Sequence, residues 1–169
     1  MANFSISEVQ VGSGWLGISP IPGRTGNYLA DLATILRWDP ALVFTMTTRA
    51  ELDRVEAGDF ATDLAAAGIQ WRHLPIKDFG APEDSTDQLW PEASRTAHDV
   101  LADSGKVLVH CFGGCGRSGM AVMRLMVEAG EGADPALERL RDARPCAVEV
   151  EEQRTWAARP MFERLGWSQ

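Results

Sequence analysis

The stretch VLVHCFGGCGRSG, residues 107–119, decides how the rest of the chain is read. Val107–His110 is a short apolar run of strand formers, cut off by a glycine-rich turn. From Ser118 to Ala129 the pattern becomes helical, and Gly130 ends it. Gly113, Gly114 and Gly116 permit positive φ and leave room for a closely approaching ligand. Such a turn aims backbone N–H groups inward, and the following helix adds its positive dipole end, which together make an anion cradle. Arg117 brings a guanidinium fork that can hold two phosphate oxygens. Cys111 lies at the base of the cradle, where the amides, the dipole and Arg117 favour a thiolate over a thiol. A thiolate beside a bound phosphate is positioned for in-line attack on phosphorus. The competing reading is a buried core cysteine at a strand end beside an ordinary turn. A nucleotide-binding loop fits less well, because Arg117 stands where the lysine before the hydroxyl residue belongs.

The surrounding pattern alternates strands with helices. Glu8–Ser19 suits a pair of short strands, and Pro20, Pro22 and Gly23 break it. Helical spacing marks 28–37, followed by an apolar strand over 41–47 and helices over 49–56 and 60–67. A strand over 69–76 leads into a loop with Gly80 and Pro82. A long helix is expected over 87–102. Another runs over 135–144, with Asp134 as N-cap and Pro135 at its first position. The last helix spans 151–165, with Pro160 kinking it. This order predicts an α/β fold, with a mainly parallel central sheet flanked by helices, in one domain over residues 1–169. Ligands in such sheets bind beyond the carboxyl ends of the strands, which is where the cradle sits.

Composition sets outer limits. At 45% hydrophobic the chain can bury a substantial core. A net charge of −8 and a pI near 4.8 argue against nucleic acid and anionic membranes as partners, since both call for a basic surface. No apolar run is long enough to span a bilayer, and no basic, apolar leader opens the chain. The three cysteines (Cys111, Cys115, Cys146) are odd in number, which suggests a reducing, cytoplasmic setting. His73, His98 and His110 are far apart, and no metal-ligand spacing is visible, so no metal or other cofactor is expected.

HCFGGCGRSG resembles the Cys-x5-Arg signature of the protein tyrosine phosphatase superfamily, with Cys111, Arg117 and Ser118 at the motif positions. Through GWLGISPIPG, LPIKDFGAPE and AVEVEEQRTW the chain is similar to dual-specificity phosphatases of the kinase-associated phosphatase (cyclin-dependent kinase inhibitor 3) family, over about Gly12 to Trp156. The resemblance implies a cysteinyl-phosphate mechanism on a cysteine-phosphatase fold. It implies that Phe112, Gly113, Gly114, Cys115, Gly116 and Arg117 bind phosphate. Asp78, 33 positions before Cys111, matches the general acid; spacing alone leaves it open whether this is merely a solvated loop aspartate. Asp84 and Asp87 are its rivals, better explained as helix caps or first-turn acids.

Trp38-Asp39-Pro40 and Trp90-Pro91-Glu92 imitate the superfamily's Trp-Pro-Asp loop but fall in a turn and in a helix. Ser118 is expected to hydrogen-bond the leaving thiolate, or to cap the helix. Gln153 matches the glutamine that positions the hydrolytic water, against an exposed helix residue as the alternative. His110 is expected to brace the loop rather than carry protons. Cys115 is either a small apolar filler or a redox partner of Cys111, and Cys146 is structural.

Two other classes compete: a phosphate-binding module without turnover, and a sulfurtransferase or arsenate-reducing thiol enzyme. The expected partner is a phosphorylated protein, with a small-molecule phosphate as the alternative. The absence of large insertions suggests a shallow pocket open to phosphoserine and phosphothreonine as well as phosphotyrosine.

Overall fold

The computed structural model describes residues 3–159. Five strands form one sheet in the order β1-β2-β5-β3-β4. β1 (Ser7–Val11) is an antiparallel edge strand on β2 (Gly14–Ser19); β2, β5 (Lys106–His110), β3 (Leu42–Thr45) and β4 (Gln70–His73) run parallel. β5 lies at the centre, with His110 opposite Ser19 on one side and Thr45 on the other. Strand periodicity splits its side chains between two cores. Val107 and Val109 face one layer with Leu42 and Phe44, and Leu108 faces the other with Val43. Burial on both faces is why β3 and β5 read as continuous apolar runs.

α1 (Tyr28–Trp38) and α3 (Phe60–Ala66) cover the second face through Ile35, Phe60 and Leu64. α5 (Trp90–Ala102), α6 (Gly116–Glu128), α7 (Ala133–Ala143) and α8 (Glu151–Ala157) cover the first. α2 (Arg49–Arg54) follows β3, and α4 (Asp84–Asp87) precedes α5. α6 is almost wholly buried. Two of its three buried charges, Arg124 and Glu128, are kept inside by specific partners at its far end from the cradle. Arg124 stacks on Trp156 (4.1 Å) and Trp90 (5.6 Å), and Glu128 accepts from Trp90 Nε1 at 2.9 Å. These bonds fix the helix behind the cradle. Among the described residues no helix is long and apolar enough to cross a membrane.

Three helix expectations need correction. The long helix expected over 87–102 begins at Trp90 as α5, and Asp87 instead ends the short α4 before it. Pro91 has no N–H to donate, so it opens α5 in its first turn, while Thr86 Oγ1 bonds Pro75 O at 2.7 Å and holds α4 separately. In α7 the N-cap is Gly132, not Asp134. Asp134 lies within the first turn, where the dipole favours an acid, and accepts from Arg154 Nη2 at 2.6 Å. α8 ends at Ala157, and the expected continuation past Pro160 lies outside the described residues.

Candidate active site

The chain leaves β5 at His110, turns through Cys111–Cys115 and enters α6 at Gly116. The loop's carbonyls are tied on its outer side. Phe112 O accepts from Ile21 N at 3.1 Å, and Cys115 O accepts from Val148 N at 3.2 Å. Arg144 donates from Nε to Gly114 O (2.9 Å) and from Nη2 to Gly113 O (3.3 Å). With the carbonyls held outside, the N–H groups of residues 112–118 find no acceptor among the described residues. A row of amides left free at a helix N-terminus is an anion site. Gly114 makes the turn, with φ +74°; a Cβ there would come within 2.7 Å of the Ser19 carbonyl carbon and 2.8 Å of Pro20 N.

Cys111 sits in the cradle, 2% exposed, with Sγ 3.2 Å from Ser118 Oγ. Ser118 lies inside the first turn of α6, so its hydroxyl serves the thiol and does not cap the helix. Arg117 lies beneath, its side chain 1% exposed. Its Nη1 and Nη2 each donate to Glu51 at 2.8 Å, and Nη1 also donates to Ile76 O at 2.9 Å. Its Nε is buried without a partner, a donor that a bound oxyanion would satisfy. Burial pushes the Glu51 carboxyl up, but hydrogen bonds from Arg117 and the Thr48 amide outweigh it and hold it below its ordinary value. Burial also opposes the charge on Arg117, and the Glu51 bond more than offsets it.

Glu51 was missed in the sequence. Its signal is the capping box of α2, in which Thr48 Oγ1 accepts from Glu51 N and the Glu51 carboxylate accepts from Thr48 N. That box, at the carboxyl end of β3, aims the carboxylate at Arg117.

Asp78 lies on the loop after β4, 55% exposed, with Oδ1 3.4 Å from Arg117 Nη2. Asp78 Oδ1 also accepts from Phe79 N at 3.0 Å, beside the left-handed turn of Phe79 (φ +61°). Gln153 is fully buried, not exposed. Its Nε2 donates to Gly80 O at 3.1 Å, while its Oε1 accepts from Glu149 N (2.9 Å) and Val150 N (3.3 Å). It therefore fastens the Asp78 loop to the start of α8, beside Gly116 of the cradle. The rivals Asp84 and Asp87 are first-turn acids of α4, and Asp87 accepts from Trp156 Nε1 at 2.9 Å. Asp39 is the left-handed C-cap of α1, and Trp90-Pro91-Glu92 is the start of α5.

His110 is fully buried, with Nε2 2.7 Å from Thr45 Oγ1 and Nδ1 3.3 Å from Cys111 O. Thr45 Oγ1 already accepts from Trp71 Nε1 at 2.7 Å. The Thr45 hydroxyl can then donate to Nε2, leaving Nδ1–H for the Cys111 carbonyl. Burial lowers the His110 pKa from 6.5 to about 4, so the ring is a neutral brace.

Cys115 is neither a filler nor a partner of Cys111. It is disulfide-bonded to Cys146, 31 positions away, with Cα atoms 5.1 Å apart, and Cys111 is a free thiol. The reason is local: the segment after α7 that brings Arg144 onto the loop carbonyls also brings Cys146 alongside Cys115.

Residues 39–131, more than half of the chain, match the family described as Tc-R-P: Polymorphic toxin system, DSP-PTPase phosphatase. The chain belongs to the dual-specificity protein tyrosine phosphatase family. Human cyclin-dependent kinase inhibitor 3 is 31% identical over 147 residues, 83% of this chain and 68% of that protein. The rat protein is 32% identical over 104 residues, 60% of this chain and 48% of that protein. The chain thus spans from about half to two thirds of the length of these curated relatives. Its fold superposes on kinase-associated phosphatase with a TM-score of 0.83, 23% identity and coverage of 100% and 99% of the two chains. The active form of Tk-PTP gives a TM-score of 0.63 at 30% identity, over 83% of this chain and 87% of the other.

Proposed function

We propose that the chain is a cysteine-dependent phosphomonoester hydrolase acting on phosphorylated proteins, organised as one dual-specificity-phosphatase-like domain over residues 1–169. The observation that carries this is the placement of the Cys111 thiol, 3.2 Å from Ser118 Oγ, over free loop amides and the unpartnered Nε of Arg117. Cys111 Sγ attacks phosphorus, while the amides of residues 112–117 and Arg117 hold the equatorial oxygens. Asp78 gives its proton to the leaving oxygen. Water then cleaves the cysteinyl phosphate with Asp78 taking the proton, and Ser118 hydrogen-bonds the departing thiolate. Gln153 acts on this sequence by holding Gly80, two residues from Asp78.

The protein-substrate class rests on the relatives, whose names include a kinase-associated phosphatase and a cyclin-dependent kinase inhibitor. The exposed Phe79 ring beside Asp78 gives an apolar edge for a polypeptide, and we take phosphoserine and phosphothreonine as substrates beside phosphotyrosine. The expectation of a cytoplasmic location rested on an odd number of cysteines, and the Cys115–Cys146 disulfide, a bond that persists in oxidising surroundings, weighs against that ground.

The test is hydrolysis of p-nitrophenyl phosphate in the presence of a chelator. Turnover that vanadate stops and that Cys111→Ser abolishes supports the reading. Full activity in Cys111→Ser contradicts it.

A further inference from the structure

Gly116 opens α6, where the chain leaves the cradle. A Cβ there would collide with Glu149 Oε1, and would lie 2.9 Å from both Nε2 and Oε1 of Gln153. A carboxylate and an amide therefore press on the same cradle residue, and they are not equally free. The Gln153 amide is fully buried and committed to Gly80 O, Glu149 N and Val150 N. Glu149 is exposed, and its carboxylate has no hydrogen-bond or ion-pair partner among the described residues.

The segment that carries Glu149 is fastened to the outer side of the cradle. Cys146 is bonded to Cys115, Val148 N donates to Cys115 O at 3.2 Å, and Arg141 Nη2 donates to Val148 O at 2.8 Å. Val148 has φ +64°, a left-handed conformation that a β-branched residue adopts only under constraint. Glu149 follows directly on this turn. An unpaired carboxylate beside free amides that hold phosphate works against anion binding. Glu51 avoids that conflict by pairing with Arg117, and Asp78 avoids it by carrying a proton in the first step. Glu149 does neither. A fixed acceptor at its place has a use once the leaving group has departed and water must stand where that group stood.

Building on the phosphatase reading above, we propose that Glu149 is a catalytic residue of the second step and holds the water that attacks the cysteinyl phosphate. One water O–H donates to the Glu149 carboxylate, and the other gives its proton to Asp78. The O–P bond forms as the S–P bond breaks, and the electron pair of the S–P bond returns to Cys111 Sγ. The proton facing Glu149 leaves with the product phosphate. Gln153 keeps the two carboxylates in register, because it bonds Gly80 on the Asp78 loop and the Glu149 amide at once.

Stopped-flow hydrolysis of p-nitrophenyl phosphate, with rapid quenching to trap phosphocysteine, tests this assignment. Glu149→Ala should give a stoichiometric burst of p-nitrophenol, then a steady rate about tenfold or more below the parent. kcat and KM should fall together, so that kcat/KM, which reports the first step, stays within about twofold. Glu149→Gln keeps an acceptor at that place and should recover part of the steady rate. Inorganic phosphate titrated onto Cys111→Ser should bind about two- to fivefold more tightly when Glu149→Gln is added, because one like charge is gone. A parallel fall of kcat and kcat/KM in Glu149→Ala overturns the assignment. So does a burst in Gln153→Ala with none in Glu149→Ala, or an unchanged phosphate affinity. A parent that neither turns over nor labels Cys111 overturns the phosphatase reading, and the assignment with it.

Discussion

Glu51 and Arg117 lie side by side, carboxylate to guanidinium, with both terminal nitrogens donating at 2.8 Å to the two carboxylate oxygens. This pair fixes the plane of the arginine and leaves Nε as a buried donor without a partner. A carboxyl group on a six-residue helix thereby sets the geometry of a residue 66 positions away.

Removing that carboxylate has two consequences. Glu51→Gln should lower kcat/KM for p-nitrophenyl phosphate at least tenfold, because the guanidinium loses its bidentate anchor. It should also destabilise the fold by about 2–3 kcal/mol, toward the low end for breaking a buried ion pair because glutamine keeps one acceptor. Urea denaturation and steady-state kinetics measure both. Unchanged values would remove Glu51 from the account.

Gln153 and Asp78 should act on the same step. Asp78→Asn should slow substrates with poor leaving groups by about 10²–10⁴, the usual range for a lost general acid, and spare activated esters such as 2,4-dinitrophenyl phosphate. Gln153→Ala should show the same leaving-group dependence in weaker form, since its amide holds Gly80 and not a free position over the cradle. If Gln153 serves only the hydrolytic water, its variant will release a burst of the leaving group and then stall, with no dependence on that group.

The Cys115–Cys146 bond closes a loop of 31 positions, and the loop-closure argument assigns it at most ~3–4 kcal/mol. Non-reducing peptide mapping should find the crosslinked pair with Cys111 free. Cys146→Ser should lower Tm measurably and behave like the reduced parent. A map that joins Cys111 to Cys115 would contradict the assignment.

Much of this was legible beforehand, for identifiable reasons. VLVHCFGGCGRSG combines strand, turn and helix signals within 13 residues, so the cradle, Cys111, Arg117 and Ser118 follow from local physics. The doubly buried β3 and β5 announce themselves by unbroken apolar runs. Contacts between distant segments did not show. Glu51, Arg144 and Cys146 are ordinary helix or loop residues until α2 and the segment after α7 are folded against the cradle. Gln153 was found by resemblance, but its buried bond to Gly80 has no sequence signal. Pro91 misled because a proline at the start of a helix looks like a residue inside one until its neighbours' bonds are known.

His110 gives a pH dependence with a defined sign. Its pKa is about 4 in the folded chain, below the ordinary 6.5, so the folded state binds fewer protons than the unfolded one between these values. The contribution is fully present above about pH 6.5 and is lost as pH falls toward 4. Stability by denaturant titration should therefore decline over that window, less steeply in His110→Asn. Identical pH profiles for parent and variant would show that the buried ring is not the group responsible.

The central claim is that phosphate passes through Cys111. Rapid acid quenching of the parent enzyme with a ³²P-labelled phosphopeptide, followed by digestion and mass spectrometry, tests it directly. The account predicts label as a thiophosphate on the peptide containing Cys111, and none in Cys111→Ser. Rapid turnover with no trapped label at Cys111, or with turnover preserved in Cys111→Ser, would contradict it.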